Sequence, residues 1–434
     1  MNRSKIVAAI DVGSTKIVTL IGQISENSER INVVGASSIP STGVRKGQIV
    51  NIEEASDAIV RSVEAAERMA GLSLSKTLVL VGGAHISSQN SHGVVAVAEP
   101  QEEIVHEDVR RVIEAARAIS LPSLREIVHV IPRTYTVDSQ DGVADPIGMS
   151  GVRLEVETHI IIGSSTAMKN LARCVSEVGA DIESLVFAGT AAAEAVLTET
   201  EKELGVVLVD IGGGTTNIVV YIEGAPAYTA VLPIGAKNVT NDLAIGLRLS
   251  LEGAEKLKIS LKRTKSTGPE AVETEKKAED KNKDDEVDLA KIGIYEEAKN
   301  VSRKTIVEGI IKPRLNEIFG MVASEIKKSG FGGLTPSGIV LTGGGAMTIG
   351  AVEICKRSLS LPVRIGISDK VSGLVDDITD PSFSASIGLL IYGSKPFEGL
   401  SLASPFHKFG EISKKLPIKG LAGKFAAFVK SFLP

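Results

Sequence analysis

Aromatic residues and cysteine are scarce in this chain of 434 residues. Aromatics make up 3% of the sequence and tryptophan is absent, which argues against the stacking platforms that bind single-stranded nucleic acid. Cys174 and Cys355 are too few and too far apart for a disulfide framework, and the six histidines are scattered without the spacing of metal ligands. We therefore expect an intracellular protein with reduced thiols, no histidine or cysteine metal centre and no nucleic-acid partner.

Long apolar runs are also missing. The N-terminal run Ile6–Ile10 ends at Asp11 and is too short for a signal peptide. No stretch approaches the ~20 apolar residues that a membrane-spanning helix needs, so any membrane contact should be peripheral. The net charge is −5, yet residues 405–434 hold six lysines and one glutamate. A basic tail on an acidic body is a signal of a binding partner.

The length and the patterning indicate an α/β protein of several subdomains. A chain of this size is too long for one ordinary core. Apolar periodicity predicts a helix near Ile52–Met69 that ends at Gly71, followed by a strand over Thr77–Val81. Between residues 85 and 165 the pattern changes to a compact inserted unit. Residues 262–288 hold seven basic and nine acidic residues with almost nothing apolar, which predicts a disordered loop.

Two short segments about two hundred residues apart share one pattern. In Ile10–Val18 (IDVGSTKIV) and Val209–Val219 (VDIGGGTTNIV), an apolar run ends in an aspartate, turns on small residues and continues as a second apolar run. Glycine turns of this kind leave backbone N–H groups free to face an anion. The candidate phosphate contacts are Gly13, Ser14, Thr15 and Lys16 in the first turn, and Gly212, Gly213, Gly214, Thr215, Thr216 and Asn217 in the second.

A third glycine-rich segment completes the set. Residues 338–350 read GIVLTGGGAMTIG, a buried strand followed by Gly343, Gly344, Gly345 and Ala346, where a base or ribose can approach closely. Any one of the three segments could be a plain turn between strands. Together they predict a nucleotide clamp in which Asp11 and Asp210 hold one Mg²⁺ through water, because Mg²⁺ prefers one or two carboxylates plus waters and phosphate oxygens.

These segments resemble the phosphate-1, phosphate-2 and adenosine motifs of the actin/Hsp70/sugar-kinase superfamily. Over residues 5–395 the chain further resembles the bacterial cell-division FtsA family, through GVRKGQIVNIEEA, HVIPRTYTVD, DPIGMSGVRLEVETH, LVFAGTAAAEAVLTE, ELGVVLVDIGGGTTNIVVY, GIVLTGGGAMTIG and VRIG. The resemblance implies a two-lobed, actin-like (ribonuclease H-like) α/β fold with ATP and Mg²⁺ in the central cleft. It also implies an inserted subdomain 1C that actin, Hsp70 and kinases lack.

The resemblance divides the chain as follows. Residues 1–84 and 166–204 form subdomain 1A, 85–165 subdomain 1C, 205–245 the first part of subdomain 2A, 246–334 subdomain 2B with the charged loop, and 335–394 the end of 2A and the return to 1A. Residues 395–419 form a linker and 420–434 an amphipathic helix.

Three further roles follow from the resemblance. Glu255 and Lys258 match an E-x-x-K pair that contacts ribose, although such a pair on a helix can also be a solvated ion pair. Glu194 falls where the connecting helix of actin carries a water-orienting glutamine, although it can equally be an exposed helix residue. Because the FtsA family holds no carboxylate there, ATP hydrolysis is expected to be slow or negligible.

The C-terminus predicts an interfacial helix. Phe425, Phe428, Val429 and Phe432 form one apolar stripe flanked by Lys424 and Lys430. The stripe could pack on the body as a core helix, but the Pro/Gly-spaced linker and the basic surround favour an anionic membrane surface. The FtsA resemblance implies such a targeting helix.

The resemblance implies an ATP-binding protein that polymerises with itself on the cytoplasmic face of the inner membrane at the division septum. It would anchor the FtsZ ring and recruit later division proteins through subdomain 1C. The FtsZ C-terminal tail would bind a basic set, Arg303, Lys304 and Arg314, unless these are only solvated helix charges. The alternatives are a small-molecule kinase of the same superfamily and a pilus-assembly relative.

Overall fold

The computed structural model describes residues 5–24, 30–98, 103–261, 286–295, 300–374 and 378–395. The predicted terminal helix, all but the first residue of the predicted linker, and residues 262–285 of the predicted charged loop lie outside these residues. The strands are β1 (Lys5–Val12), β2 (Lys16–Ile24), β3 (Ile31–Pro40), β4 (Val44–Arg45), β5 (Gln48–Ile49), β6 (Lys76–Val81), β7 (Ser87–Ala96), β8 (Arg125–Val137), β9 (Gln140–Val143), β10 (Arg153–Ser164), β11 (Asp181–Phe187), β12 (Val206–Ile211), β13 (Thr216–Ile222), β14 (Ala225–Leu232), β15 (Glu286–Asp288), β16 (Asn300–Ser302), β17 (Ile339–Thr342), β18 (Val363–Ile365) and β19 (Val371–Gly373).

The α-helices are numbered in the same way. They are α1 (Ile52–Ala70), α2 (His106–Arg117), α3 (Ser165–Ser176), α4 (Ala188–Val196), α5 (Glu199–Leu204), α6 (Ala236–Leu247), α7 (Leu251–Ser260), α8 (Lys312–Ser329), α9 (Ala351–Leu359) and α10 (Ser384–Ser394). A π-helical segment, Thr305–Ile311, leads into α8.

Two sheets repeat one topology. In the first, β2 runs antiparallel between β1 and β3, β6 lies parallel to β1, and β11 lies parallel to β6. In the second, β13 runs antiparallel between β12 and β14, β17 lies parallel to β12, and β18 lies parallel to β17. We call the halves built on these sheets lobe 1 and lobe 2. The duplication confirms the predicted two-lobed α/β fold.

The local sequence explains the helix that covers lobe 1. Asn51 caps α1 by accepting from the N–H of Glu54, and Gly71 ends it in the left-handed region at φ 68°. The buried face of α1 repeats every three or four residues, as in Ile59, Val63 and Ala66. The predicted helix near Ile52–Met69 is therefore confirmed to within one residue.

Helix α4 crosses between the lobes, and α10 covers the sheet of lobe 1 beside it. Helix α4 runs from β11 of lobe 1 to α5 and β12 of lobe 2, and α10 packs against it. The crossing is close: a Cβ built on Gly388 would lie 1.7 Å from the carbonyl oxygen of Ala191. Small residues in both helices make this approach possible.

The inserted unit, residues 85–164, leaves lobe 1 after β6 and returns to it at α3. Its β7, β10, β8 and β9 form a sheet, and α2 covers that sheet over a core that includes Ile113, Leu154 and Val156. Strand β7 also pairs with β14, so the inserted sheet extends the sheet of lobe 2 to nine strands. The sequence did not predict this joining.

The disordered loop predicted over residues 262–288 extends too far at its C-terminal end. Glu286–Asp288 form β15, which pairs with β16 through Val287 and Val301. A valine on each strand packs against the core of lobe 2, which favours order despite the charged neighbours. No helix within the described part of the chain is long and apolar enough to span a membrane.

Candidate functional site

The two predicted phosphate turns have the same geometry. The N–H of Gly13 donates to the carbonyl of Lys16 at 3.1 Å, and the N–H of Gly212 donates to the carbonyl of Thr215 at 2.9 Å. Each turn follows a strand, β1 or β12, that ends at the residue after its aspartate. The repeated sequence pattern therefore becomes a repeated backbone structure, one copy in each lobe.

The turns face each other across two adjoining cavities of about 140 Å³ and 280 Å³. Both cavities are lined by Thr15 and Lys16 of the first turn and by Gly212 and Gly213 of the second. Of the other predicted contacts, the first cavity is lined by Asp11, Gly13, Ser14, Asp210, Gly214, Thr215, Asn217 and Gly343, the second by Glu255, Lys258 and Gly345, and both by Gly344. The structure thus brings three distant segments together around one cleft.

Glycine at position 343 is required by this cleft. Strand β17 pairs with β12, which sets Thr342 beside Asp210. Gly343 has φ +80°, and a Cβ there would lie 2.3 Å from Oδ1 of Asp210. A side chain would therefore collide with the carboxylate and strain the backbone.

Burial dominates the electrostatics of the two carboxylates. Asp210 is 7% exposed and accepts from the Asn217 amide at 2.9 Å. Burial raises the pKa of Asp210 to about 6, and the nearby charge of Asp11 acts in the same direction, against the opposing hydrogen bond from Asn217. Burial also raises the pKa of Asp11, partly offset by a hydrogen bond from Ser386 and by the charge of Lys16.

These groups fit a magnesium ion. The carboxylates of Asp11 and Asp210 are close enough to perturb one another, so a cation between them would stabilise both, and oxygen is the ligand type that Mg²⁺ prefers. The Asn217 side-chain oxygen is buried without a hydrogen-bond partner among the described residues, which leaves it able to accept from a metal-bound water. Asp11, Asp210 and Asn217 are therefore the residues that would hold the ion.

Lys16 contacts the segment before α10. Its Nζ donates to Oγ of Ser382 at 2.9 Å and lies 3.3 Å from the ring centroid of Phe383. Asp380 accepts from the N–H of Ser382 and so shapes this segment. Sequence reasoning missed Ser382 and Ser386, although an Asp-Pro pair before an apolar helix is a recognisable start signal.

The E-x-x-K pair lies at the second cavity. Nζ of Lys258 is 2.7 Å from Oε2 of Glu255 and donates to Oγ1 of Thr240 at 2.9 Å. The Lys258 side chain is 11% exposed and that of Glu255 is 44% exposed. The pair is therefore held by a hydrogen-bond network at the rim of the cavity, and Lys237, which the sequence did not single out, lines the same cavity.

Three predicted site residues lie elsewhere. Thr216 is fully buried and donates to the carbonyl of Ile234 at 2.8 Å, and Ala346 packs in the core of lobe 2. Glu194 is not brought to either cavity. The direction of α4 turns its carboxylate to Lys395 at 2.5 Å and Lys202 at 3.7 Å, with its side chain 15% exposed. It is thus neither placed to orient water in the cleft nor an exposed helix residue.

The structure does not leave all three residues of the predicted basic set, Arg303, Lys304 and Arg314, available to a partner. Arg314 makes a bidentate ion pair with Asp242, through Nε at 2.6 Å and Nη2 at 2.9 Å, and a further contact with Glu317. These carboxylates raise its pKa and neutralise its charge locally. Arg303 and Lys304 are exposed. The six predicted membrane residues, Lys424 to Phe432, lie outside the described residues.

Comparison with known proteins identifies relatives over most of the chain. A family profile described as "SHS2 domain inserted in FTSA" matches residues 83–162, and one described as "Cell division protein FtsA" matches residues 207–388. The chain is 37% identical over 415 residues to the cell division protein FtsA of Pseudomonas aeruginosa, covering 95% of each. It is 38% identical over 419 residues to that of Borreliella burgdorferi, covering 96% of each, and 33% identical over 398 residues to that of Escherichia coli K12, covering 90% and 91%.

Solved structures show the same fold at low identity. A structure entitled "PilM-PilN type IV pilus biogenesis complex" matches with a TM-score of 0.62 at 14% identity, covering 90% of this chain and 99% of that one. The ethanolamine utilization protein EutJ from Carboxydothermus hydrogenoformans matches with a TM-score of 0.51 at 15% identity, covering 90% of each.

Proposed function

Because the chain belongs to the FtsA family of cell-division proteins and has an actin-like fold, we propose that it binds ATP with Mg²⁺ between its lobes. The observation that carries this proposal is the pair of equivalent turns that line one cleft, each following a strand that carries an aspartate. Backbone N–H groups of both turns and the Lys16 ammonium supply positive potential for phosphates. Bound Mg²⁺ would offset the remaining charge of the triphosphate.

We also propose that turnover is slow or negligible, so that the nucleotide serves mainly a structural role. Glu194 is paired with lysines outside the cleft. Asp11 and Asp210, the two carboxylates that line the first cavity, would be engaged in holding the metal ion rather than in activating a water. A small-molecule kinase is the alternative, and robust phosphotransfer to sugars or polyols in a steady-state assay would overturn the structural role. A pilus-assembly protein is no longer favoured, because the sequence relationship is with FtsA.

Calorimetry tests the nucleotide site. Titration with ATP and Mg²⁺ should give a saturable heat for the full chain, and Asp210→Ala should weaken binding at least about tenfold, which corresponds to about 1.4 kcal/mol. Thr216→Val is the matched control. Thr216 lies between Thr215 and Asn217, which line the first cavity, but is itself buried away from both cavities. No heat with the full chain at saturating ATP would refute the proposal.

We propose that the C-terminal segment attaches the protein to the cytoplasmic face of the inner membrane. The support is the stripe of Phe425, Phe428 and Phe432 between lysines. Each buried phenylalanine contributes roughly 1.5–3 kcal/mol and each lysine near an anionic leaflet about 1 kcal/mol. A single copy would bind reversibly, and self-assembly into a polymer would present many copies and strengthen attachment.

Liposome flotation tests the attachment. The full chain should float with anionic vesicles, and a chain that ends at Ser404 should remain at the bottom of the gradient. Replacing Phe428 by Asp in the full chain should reduce flotation strongly without shortening the tail. Equal flotation of the full and shortened chains would rule out membrane attachment through this segment.

We further propose that the protein anchors the FtsZ ring at the septum and recruits later division proteins through the inserted unit. For the acidic FtsZ tail, Arg303 and Lys304 are exposed just before the π-helical segment that leads into α8, whereas Arg314 is engaged by Asp242. In a fluorescence anisotropy titration with an FtsZ tail peptide, Arg303→Glu should weaken binding more than Arg314→Glu. Unchanged binding in both variants would place the peptide elsewhere.

A further inference from the structure

The inserted unit belongs to lobe 1 by connectivity but to lobe 2 by pairing. It begins a few residues after β6 of lobe 1, yet its β7 pairs with β14 of lobe 2, with Ser87 opposite Ala230. This backbone pairing involves one residue pair, in contrast with the ten pairs that join β7 to β10 within the unit. Few backbone hydrogen bonds therefore connect the inserted unit to lobe 2.

Beyond Ser87, side chains of β7 rather than its backbone form the hydrogen bonds to β14. Oγ of Ser88 accepts from the N–H of Thr229 at 3.0 Å and donates to its carbonyl at 2.9 Å. Farther along β7, the Asn90 amide donates to the carbonyl of Ala227 at 3.2 Å. Two short side chains of the inserted unit thus satisfy backbone groups on the edge of β14.

A fully buried histidine lies under these contacts. Nδ1 of His159 is 2.7 Å from Oδ1 of Asn90, and Nε2 is 3.0 Å from Oγ1 of Thr229. Since the NH₂ group of Asn90 donates to Ala227, its oxygen accepts from Nδ1–H, and the hydrogen-bond network thereby assigns Nε2 as the acceptor of the Thr229 hydroxyl. The network thus runs from the core of the inserted unit to β14 of lobe 2.

A β-bulge adds one more contact. The register of β8 against β10 shifts between Glu157 and Thr158, which leaves Arg133 as the extra residue. Its side chain is 10% exposed, pairs with Glu157 at 2.6 Å, and lies 5.9 Å from the ring centroid of Phe331 in lobe 2. We call the joint formed by Ser87, Ser88, Asn90, Arg133 and His159 with lobe 2 the seam.

The other end of the unit is attached to lobe 1 next to the cleft. Nδ1 of His85 accepts from the N–H of Ser164, so the first and last residues of the unit are hydrogen-bonded together. His85 also lines the first cavity. A second contact with lobe 1 comes from β8, where Nε2 of His129 accepts from the N–H of Phe187 at the end of β11.

We propose that the inserted unit is a strap across the two lobes, and that the seam is energetically coupled to nucleotide binding in the cleft. The proposal rests on the proposed nucleotide function. A ligand that contacts both lobes selects one angle between them, and the strap must follow any change of that angle. Because the seam contains a single backbone pair and otherwise relies on side-chain contacts, a ligand that changes the angle between the lobes can shift it.

A disulfide across the seam provides the test. Ser87 and Ala230 are directly opposite in an antiparallel pair, a separation of about 4.5–5.5 Å that a disulfide can bridge. Neither residue is buried, whereas Cys174 and Cys355 are, so oxidation should link the introduced pair in Ser87→Cys/Ala230→Cys. The affinity for ATP with Mg²⁺ should differ at least about fivefold between the oxidised and reduced forms of this variant.

Three comparisons complete the test. Loosening the seam with Ser88→Ala/Asn90→Ala should shift the affinity in the direction opposite to that of the disulfide. A disulfide within the unit, Val94→Cys/Glu155→Cys, spans an equivalent strand pair away from the seam and should leave the affinity unchanged. Because coupling is reciprocal, ATP should also shift the equilibrium between the reduced and oxidised forms of the seam pair in a thiol–disulfide buffer, but not that of the control pair.

Two outcomes separate the strap from the nucleotide site itself. If the unmodified chain does not bind ATP, the proposed function fails and the strap with it. If the unmodified chain binds ATP, but the oxidised and reduced seam variants bind it equally, the strap proposal alone is overturned. Circular dichroism of every variant establishes that the fold is retained before affinities are compared.

Discussion

Single buried histidines join the inserted unit to the rest of the molecule. Phe187 donates its N–H to Nε2 of His129, and that ring also lies edge-on to Tyr392. Burial lowers the pKa of His129 to about 4 and that of His159 to about 3. Both rings are therefore neutral in the folded protein at neutral pH, and each depends on keeping an unprotonated nitrogen as an acceptor.

Acid should weaken the fold through His129. Its pKa is lowered from 6.5 on folding, so the unfolded chain binds more protons between pH 6.5 and about 4, and stability falls as the pH drops through this range. Relative to His129→Gln, which keeps an acceptor but does not titrate, the protein should lose up to about 1.4 kcal/mol per pH unit there. Urea unfolding at several pH values measures this difference.

The control is His106→Gln, which removes an exposed histidine. The pH dependence should change more in His129→Gln than in His106→Gln, because folding buries His129 and leaves His106 exposed. A pH dependence of His129→Gln that matches that of His106→Gln would contradict the argument.

Helices α4 and α10 meet at a contact that depends on the absence of a side chain. Gly388 packs directly on the backbone of α4 at Ala191. Helix α4 runs between the lobes and α10 packs on the sheet of lobe 1, so this contact holds α4 against lobe 1. The alanine-rich sequence of α4 is therefore a packing requirement at this crossing, in addition to favouring a helix.

Gly388→Ala should destabilise the protein by about 3 kcal/mol, because its methyl group would overlap a backbone oxygen that cannot rotate away. Gly320→Ala in α8 is the matched control: a Cβ added there would meet no atom within 4 Å, and alanine should add about 1 kcal/mol of stability through helix propensity. Thermal unfolding midpoints of the two variants should move in opposite directions. A Gly388→Ala midpoint at or above that of the unaltered chain would contradict the crossing geometry.

The molecule as a whole is two copies of one topology joined at the cleft, by helix α4 and by the inserted unit. Each lobe contributes one aspartate and one glycine turn, so neither lobe alone contains the candidate site. A ligand held by both lobes stabilises their joint folded state, and at a hundredfold excess over its dissociation constant it adds about 2.7 kcal/mol.

ATP with Mg²⁺ should therefore raise the unfolding temperature, and a substitution in either lobe should reduce this rise. Asp11→Asn in lobe 1 and Asp210→Asn in lobe 2 are expected to lose most of it in differential scanning fluorimetry. Thr216→Val should lower the unfolding temperature without ATP, because a buried hydrogen bond of about 1 kcal/mol is removed, yet keep the full rise with ATP. Loss of the rise in Thr216→Val would return that residue to the site.

Much of the candidate site could be predicted from the sequence because its determinants are local. An apolar strand, an aspartate and a glycine turn lie within a short stretch of consecutive residues, so the pattern can be recognised at both of its occurrences. The third glycine-rich segment can be recognised in the same way. The boundaries of α1 are legible for the same reason, since Asn51 and Gly71 terminate it through local hydrogen bonds and backbone conformation.

Other features were decided by the tertiary structure alone. Glu194 faces lysines that lie in α5 and at the end of α10, Arg314 is engaged by Asp242 in a different helix, and Lys16 contacts Ser382, which is 366 residues away. The pairing of β7 with β14 likewise joins strands that are not adjacent in the chain. No periodicity encodes such contacts, because they depend on how whole elements are oriented, whereas a turn or a helix cap depends only on its neighbours in the sequence.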